Sequence, residues 1–203
     1  MCYPATWESQ IEMVELKPVP PGSNEWKSII DRIHKTLPSA EVRMLQRIQN
    51  QWLWEKYSSS KARMEEAKGK TNEKDLFHGT RSIPPDKIHR SEHGFDFRFS
   101  RQGMWGTGTY FAVNASYSDA YAYSAGKEKQ ILLAKVLTGE TYRCQPDGSL
   151  NKPPLKTDSK SGTGTFTDER YDSVSGNTNG SEIYVIYDHE KAYPAYLVTY
   201  ITH

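Results

Sequence analysis

The chain has 203 residues, enough to bury one sizeable core. Its 26 basic residues nearly balance 25 acidic ones, with a formal net charge of +1, so bulk electrostatics demand neither nucleic acid nor an acidic membrane surface. Cys2 and Cys144 are the only cysteines, which excludes a disulfide framework, and no apolar run reaches the length of a membrane-crossing helix.

Residues 1–24 are rich in Pro and irregular, with an alternating run (Ile11, Met13, Val14, Leu16) that suits a strand. Ser23-Asn24 is a capping signal for a helix over 25–37, in which Trp26, Ile29, Ile30, Ile33 and Leu37 recur at helical spacing. Alternation predicts a strand over 42–49, and a charged helix over 53–68 is closed by Gly69. No Ser/Gly/Pro linker follows, so a single unit over 1–203 is expected, with 1–40 as an N-terminal extension packed on it. The N-terminus has no charged start followed by an apolar stretch, so no signal peptide is expected. The expected location is cytoplasmic or nuclear, not secreted, with no membrane partner.

From Glu73 the texture changes. A short strand over 75–80 stops at His78-Gly79, and Pro84-Pro85 suit the start of a short helix that Gly94 would end. A loop over 90–103 alternates Phe95, Phe97 and Phe99 with charged residues. Gly103, Gly106 and Gly108 then lead into a short run ending near Tyr110, followed by a helix-like segment over 114–123. Strands are expected over 130–138, 183–187 and 195–201, with mostly turn chemistry over 139–180. Many strands with few helices predict an α+β fold of mainly antiparallel sheets.

The glycines let backbone approach a ligand closely, since no Cβ intervenes. Ser118 and Tyr121 are spaced i, i+3, which puts them on one helix face, and with Tyr110 they outline a slot suited to a flat aromatic amide. The G-x-x-G-x-G spacing leads into a strand, so it is not the dinucleotide fingerprint, which leaves a strand and enters a helix. His89 and His93 have a zinc-compatible i, i+4 spacing but no third ligand; a surface pair is the better account and no metal is expected. Neither cysteine has a base nearby in sequence to make it a nucleophile.

Taken together, Leu76-Phe-His78-Gly79-Thr80, Gly106-Thr-Gly108-Thr-Tyr110-Phe-Ala112, Ser116-Tyr-Ser118-Asp-Ala-Tyr121 and Ile183-Tyr-Val-Ile-Tyr187 resemble, in order and spacing, the poly(ADP-ribose) polymerase catalytic domain. The resemblance covers about residues 40–203 and is strongest to the mono-ADP-ribosylating branch, through Arg47-Ile-Gln-Asn50, Tyr171-Asp-Ser-Val174 and Tyr193-Pro-Ala-Tyr-Leu197. It implies the ADP-ribosyltransferase fold, with two mainly antiparallel sheets flanked by a few helices, and NAD as co-substrate. It also implies site roles. His78 would bond a ribose hydroxyl, Gly79 would hold the nicotinamide carboxamide through its N–H and C=O, and Ser118 would add a further bond. Tyr121 would stack on the nicotinamide ring, Thr80 would join the NAD-binding set, and residues 90–103 would form the donor loop covering NAD.

His78, Tyr110 and Ile183 fall at the positions of the family's His-Tyr-Glu triad, with Ile183 in place of the Glu that polymerising members use for elongation. Glu182 is the rival, but neighbours on a strand point to opposite faces. The implied activity is transfer of one ADP-ribose to a protein side chain, acidic ones favoured, including the chain's own. Nucleic-acid ends are a second acceptor class, and a catalytically weak or inactive NAD- or ADP-ribose-binding module is the alternative reading.

Overall fold

The computed structural model describes residues 2–156 and 169–202. In chain order its elements are β1 (Val14–Pro18), α1 (Asn24–His34), β2 (Ala40–Asn50), α2 (Gln51–Lys68), β3 (Glu73–His78) and α3 (Asp86–His89). A 3₁₀ turn (Phe97–Phe99) precedes β4 (Thr109–Ala112), α4 (Ala115–Asp119), β5 (Tyr123–Ala125), β6 (Glu128–Leu137), β7 (Thr141–Arg143), β8 (Ser173–Thr178) and β9 (Ser181–Ile186). A second 3₁₀ turn (His189–Lys191) leads into β10 (Ala192–Thr202).

The helix signals act where the sequence places them. The Ser23 hydroxyl accepts from the Trp26 N–H at 3.1 Å, and α1 buries Ile29 and Ile33. The Asn50 side chain caps α2 by accepting from the Leu53 N–H at 3.0 Å. Gly69 ends that helix in the left-handed conformation (φ 69°), its N–H reaching the Glu65 carbonyl at 2.8 Å.

The strands follow the order β1-β2-β10-β6-β3-β4-β9-β8-β7, with β5 paired to β6. All pairs are antiparallel except β7 with β8. The two sheets expected from the sequence are two halves of one hydrogen-bonded path, joined where Phe77 on β3 opposes Ala112 on β4. Pro194 lies on β10, an interior strand, where a missing N–H would break the ladder. The register shifts between Pro194 and Tyr196, which is how a proline is accommodated there.

One face of the first half packs on α1 through Ile29, Ile33, Leu45, Phe77, Ile131 and Val198. Helix α2 contributes Leu53, Tyr57 and Met64 to a separate cluster with Tyr193. The N-terminal segment closes over this second cluster, with the Trp7 ring 5.7 Å from Trp54 and 6.2 Å from Tyr193. Glu8 and Glu25 meet on the buried Arg47, at 3.1 and 2.6 Å.

Three expectations are corrected. The helix expected after Pro85 is a single turn, α3, ending well before Gly94. The helix expected over 114–123 stops at Asp119, leaving Tyr121 in the turn beyond it. Residues 139–180 are not turns alone: they contain β7 and β8, and their part over 157–168 lies outside the described residues.

Candidate active site

The junction between the two halves of the sheet is where the singled-out residues collect. His78 ends β3, and its Nδ1 lies 2.8 Å from the Tyr110 carbonyl oxygen. A carbonyl only accepts, so Nδ1 carries the proton and Nε2 keeps a lone pair. Phe95 and Phe111 flank the ring at 5.1 and 5.4 Å. Burial pushes the His78 pKa down to about 4, against the opposing effect of the bond to Tyr110, so the imidazole is neutral near pH 7. A neutral ring with a free Nε2 is suited to accept from a hydroxyl.

Gly79 sits directly under the turn after α4. A Cβ there would collide with the carbonyl oxygens of Tyr121 and Ser118. Among the described residues, neither the N–H nor the C=O of Gly79 is taken up by another group. The Ser118 hydroxyl is also without a partner there, although Ser118 is only 2 % exposed. One donor, one acceptor and one hydroxyl thus stand unpaired on two segments in contact, which matches the needs of a primary amide.

Tyr121 is fixed from two sides: its N–H donates to Ser118 at 3.0 Å and its C=O accepts from the Arg81 N–H at 2.8 Å. Its ring lies 5.1 Å from that of Tyr117. Burial, then the neighbouring Tyr121, raise the Tyr117 phenol well above the usual tyrosine range.

The glycine cluster serves this site differently from the sequence expectation. Tyr110, the second residue of β4, receives the Trp105 N–H at 2.8 Å and donates to the Gly106 carbonyl at 2.8 Å. A Cβ on Gly103 would lie 2.7 Å from the Tyr110 ring, and one on Gly108 2.7 Å from Val185. These two glycines bring the loop against the chain's own Tyr110 and β9, which locks the phenol; burial pushes its pKa up to about 12.

The β4–β9 register decides which residue of β9 shares the Tyr110 face. Ala112 opposes Ile183 and Tyr110 opposes Val185. Ile183 is fully buried with Trp105, Ala112, Val185 and Tyr187, and Tyr110 and Tyr117 pack against this group. Glu182 points the other way and pairs with Arg143 at 2.8 Å.

Thr80 is adjacent, but its hydroxyl donates to the Ile83 carbonyl and so holds the turn after Gly79. The loop over 90–103 is anchored at its start: Lys56 Nζ donates to the Glu92 carbonyl at 2.8 Å, and Gly94 packs on Leu53. His93 and Phe97 both rest on His189, at 5.2 and 6.3 Å between rings. His89 and His93 are therefore not a surface pair: His89 is 2 % exposed and His93 faces His189. Among the described residues, no group of three or more His, Cys, Asp or Glu could hold a metal ion.

Sequence reasoning passed over Arg81, Tyr117 and Trp105. Tyr117 stands beside Ser118 and Trp105 between two of the glycines, so position alone could have raised both. Nothing in the sequence marks Arg81.

The sequence matches the family model for the poly(ADP-ribose) polymerase catalytic domain over residues 23–202. It is similar to a probable poly [ADP-ribose] polymerase of Dictyostelium discoideum, 32 % identical over 98 % of this chain and 57 % of that protein. Human protein mono-ADP-ribosyltransferase PARP12 is 33 % identical over 89 % of this chain and 25 % of its own length. For human protein mono-ADP-ribosyltransferase PARP14 the identity is 33 % over 97 % of this chain and 11 % of the relative. The chain thus spans less than two thirds of each of these relatives. With 180 matched positions (residues 23–202) running from before α1 to the end of β10, this chain belongs to the family of poly(ADP-ribose) polymerase catalytic domains.

Proposed function

We propose that the chain cleaves NAD at its nicotinamide–ribose bond and transfers one ADP-ribose to a protein side chain. The observation that carries this is Ile183: this β9 position, opposite Ala112 and on the same face as Tyr110, is apolar and fully buried, and the adjacent carboxylate, Glu182, is turned away onto Arg143. Elongation of a polymer needs an acceptor hydroxyl activated and oriented at that position, and an isoleucine has no group for either task. The relatives named as mono-ADP-ribosyltransferases support the same reading.

The residues fit the donor half of the reaction. The unpaired N–H and C=O of Gly79 hold the carboxamide, and the Ser118 hydroxyl adds a third bond. The Tyr121 ring offers a flat platform, and His78 Nε2 accepts from a ribose hydroxyl. These contacts fix the leaving amide and the sugar together, so the rate gain comes from orientation and from a preorganised, partly desolvated environment. As the bond to nicotinamide breaks, positive charge develops on the ribose. Ile183 supplies no carboxylate to face that charge, so an acceptor carboxylate brings its own, and acidic side chains are the favoured acceptors.

Nicotinamide release, measured with and without an acidic acceptor peptide, tests this reading. Release that the acidic peptide accelerates, with label recovered on the peptide, is expected. NAD binding without release would make the chain a binding module, and preferential labelling of nucleic-acid ends would replace the protein acceptor.

A further inference from the structure

Arg81 stands out once the site is assembled. Its guanidinium carbon lies 4.2 Å from the centroid of the Tyr121 ring. Its backbone is left-handed, with φ 57°, a conformation that disfavours any residue with a Cβ. The chain holds it there: the Arg81 N–H donates to the Tyr121 carbonyl at 2.8 Å, and the turn that contains Arg81 is closed by the Ile83 N–H donating to the Thr80 carbonyl at 3.1 Å. The side chain is therefore aimed by the main chain, and its guanidinium lies within cation–π distance of the aromatic face.

The charge is not neutralised. Arg81 is exposed, and no carboxylate of the described residues lies within ion-pair distance of it. Other cations differ: Lys129 on β6 is paired with Asp119 at 2.9 Å, and Arg143 on β7 with Glu182 at 2.8 Å. One unpaired cation thus stands over the Tyr121 ring, the platform that the proposed function gives to nicotinamide. It is also close enough to Tyr117 for its charge to act on that phenol.

We propose that Arg81 is the docking group for the acceptor's carboxylate, and so a specificity-determining residue of the transferase site. This rests on the transferase reading above and names the acceptor contact within it. In the transfer, a carboxylate oxygen forms a bond to the anomeric carbon of the ribose as the bond to the nicotinamide nitrogen breaks. The electron pair leaves with nicotinamide, and no proton has to be removed from an ionised carboxylate. That explains how a site without a general base at Ile183 still uses an acceptor: the acidic side chain arrives ionised, and Arg81 selects it in that form. A planar fork also fits a carboxylate better than a hydroxyl or an amide.

The test uses Arg81→Gln, Arg81→Glu and Arg81→Lys beside the wild type, with a Glu-containing peptide and its Gln counterpart. Expected is a peptide KM raised about fivefold in Arg81→Gln, as for a solvent-facing ion pair lost, and raised further in Arg81→Glu. Arg81→Lys stays nearest the wild type, kcat changes less than KM throughout, and the wild type prefers the Glu peptide over the Gln peptide. An unchanged peptide KM across the three variants, or equal labelling of the two peptides by the wild type, would overturn the proposal while leaving the transferase reading intact. A fall in peptide-free nicotinamide release that accounts for the whole loss of labelling would also overturn it, since Arg81 would then serve only the Tyr121 platform. No nicotinamide release from the wild type would remove the transferase reading, and this proposal with it.

Discussion

His78 and Tyr110 are joined by a 2.8 Å hydrogen bond from the imidazole Nδ1 to the tyrosine carbonyl, which fixes both the ring's orientation and its tautomer. The bond spans the junction between β3 and β4, where Phe77 opposes Ala112, so the histidine reports on the joint between the two halves of the sheet. Its chemistry follows from that place: a ring buried there stays neutral, with Nε2 available to accept.

A pH dependence follows. The folded-state pKa of His78 is lowered from an ordinary 6.5 to about 4 by burial, and that of His89 to about 4 by burial and then by Arg90. A group with a lowered folded pKa leaves the unfolded chain to bind the proton first as pH falls. Stability is therefore lost progressively between about pH 6.5 and pH 4, by up to about 3 kcal/mol per ring. Thermal unfolding should show a Tm that declines through this window, and His89→Leu should flatten the decline. Activity, which needs neutral His78, should hold while the fold holds and vanish towards pH 4.

Gly79→Ala is expected to abolish NAD binding. The added methyl meets the carbonyl oxygens of Tyr121 and Ser118, which are backbone and cannot swing aside. Displacing that turn also costs on the order of 1–3 kcal/mol of stability, the range for overpacking. Calorimetric titration with NAD, with circular dichroism as the folding control, checks it.

Tyr110→Phe removes a hydroxyl that accepts from Trp105 and donates to Gly106. The Trp105 N–H loses its partner, at a cost of about 1–3 kcal/mol, while the Gly106 carbonyl keeps the Gly103 N–H. The glycine loop should loosen, seen as faster amide hydrogen exchange over residues 103–108, with a raised KM for NAD.

How much of this was legible in the sequence depended on whether a signal was local. The cap at Ser23, the stop at Gly69 and the His78-Gly79 strand end are written in a few adjacent residues, and each is found in place. Strand β8, Ser-Val-Ser-Gly-Asn-Thr, carries one aliphatic residue in six and reads as a turn. It is a strand because β9 and β7 flank it and Trp105 lies against Gly176, where a Cβ would overlap the indole. The glycine cluster was legible as a close approach but not as an approach to Tyr110. The burial of His89 and the aim of Arg81 are set by Asn50 and Tyr121, both distant in sequence, and no spacing reveals them.

The register of β9 makes opposite demands on adjacent residues. Glu182→Gln loses only the half-exposed pair with Arg143, worth at most about 1 kcal/mol, and should leave labelling intact. Ile183→Glu places a carboxylate among Trp105, Ala112, Val174 and Val185, and should destabilise by about 3 kcal/mol or more. Chemical denaturation of both variants beside the wild type measures the contrast. Equal stabilities would place the two side chains on the wrong faces.

Incubation of the wild-type chain with labelled NAD, resolved on a denaturing gel, tests the central claim most directly. Discrete labelled bands from single ADP-ribose units are expected, with nicotinamide released in step. A high-molecular-weight smear would mean that chains are elongated without a carboxylate at Ile183. That result would contradict the assignment of single-unit transfer.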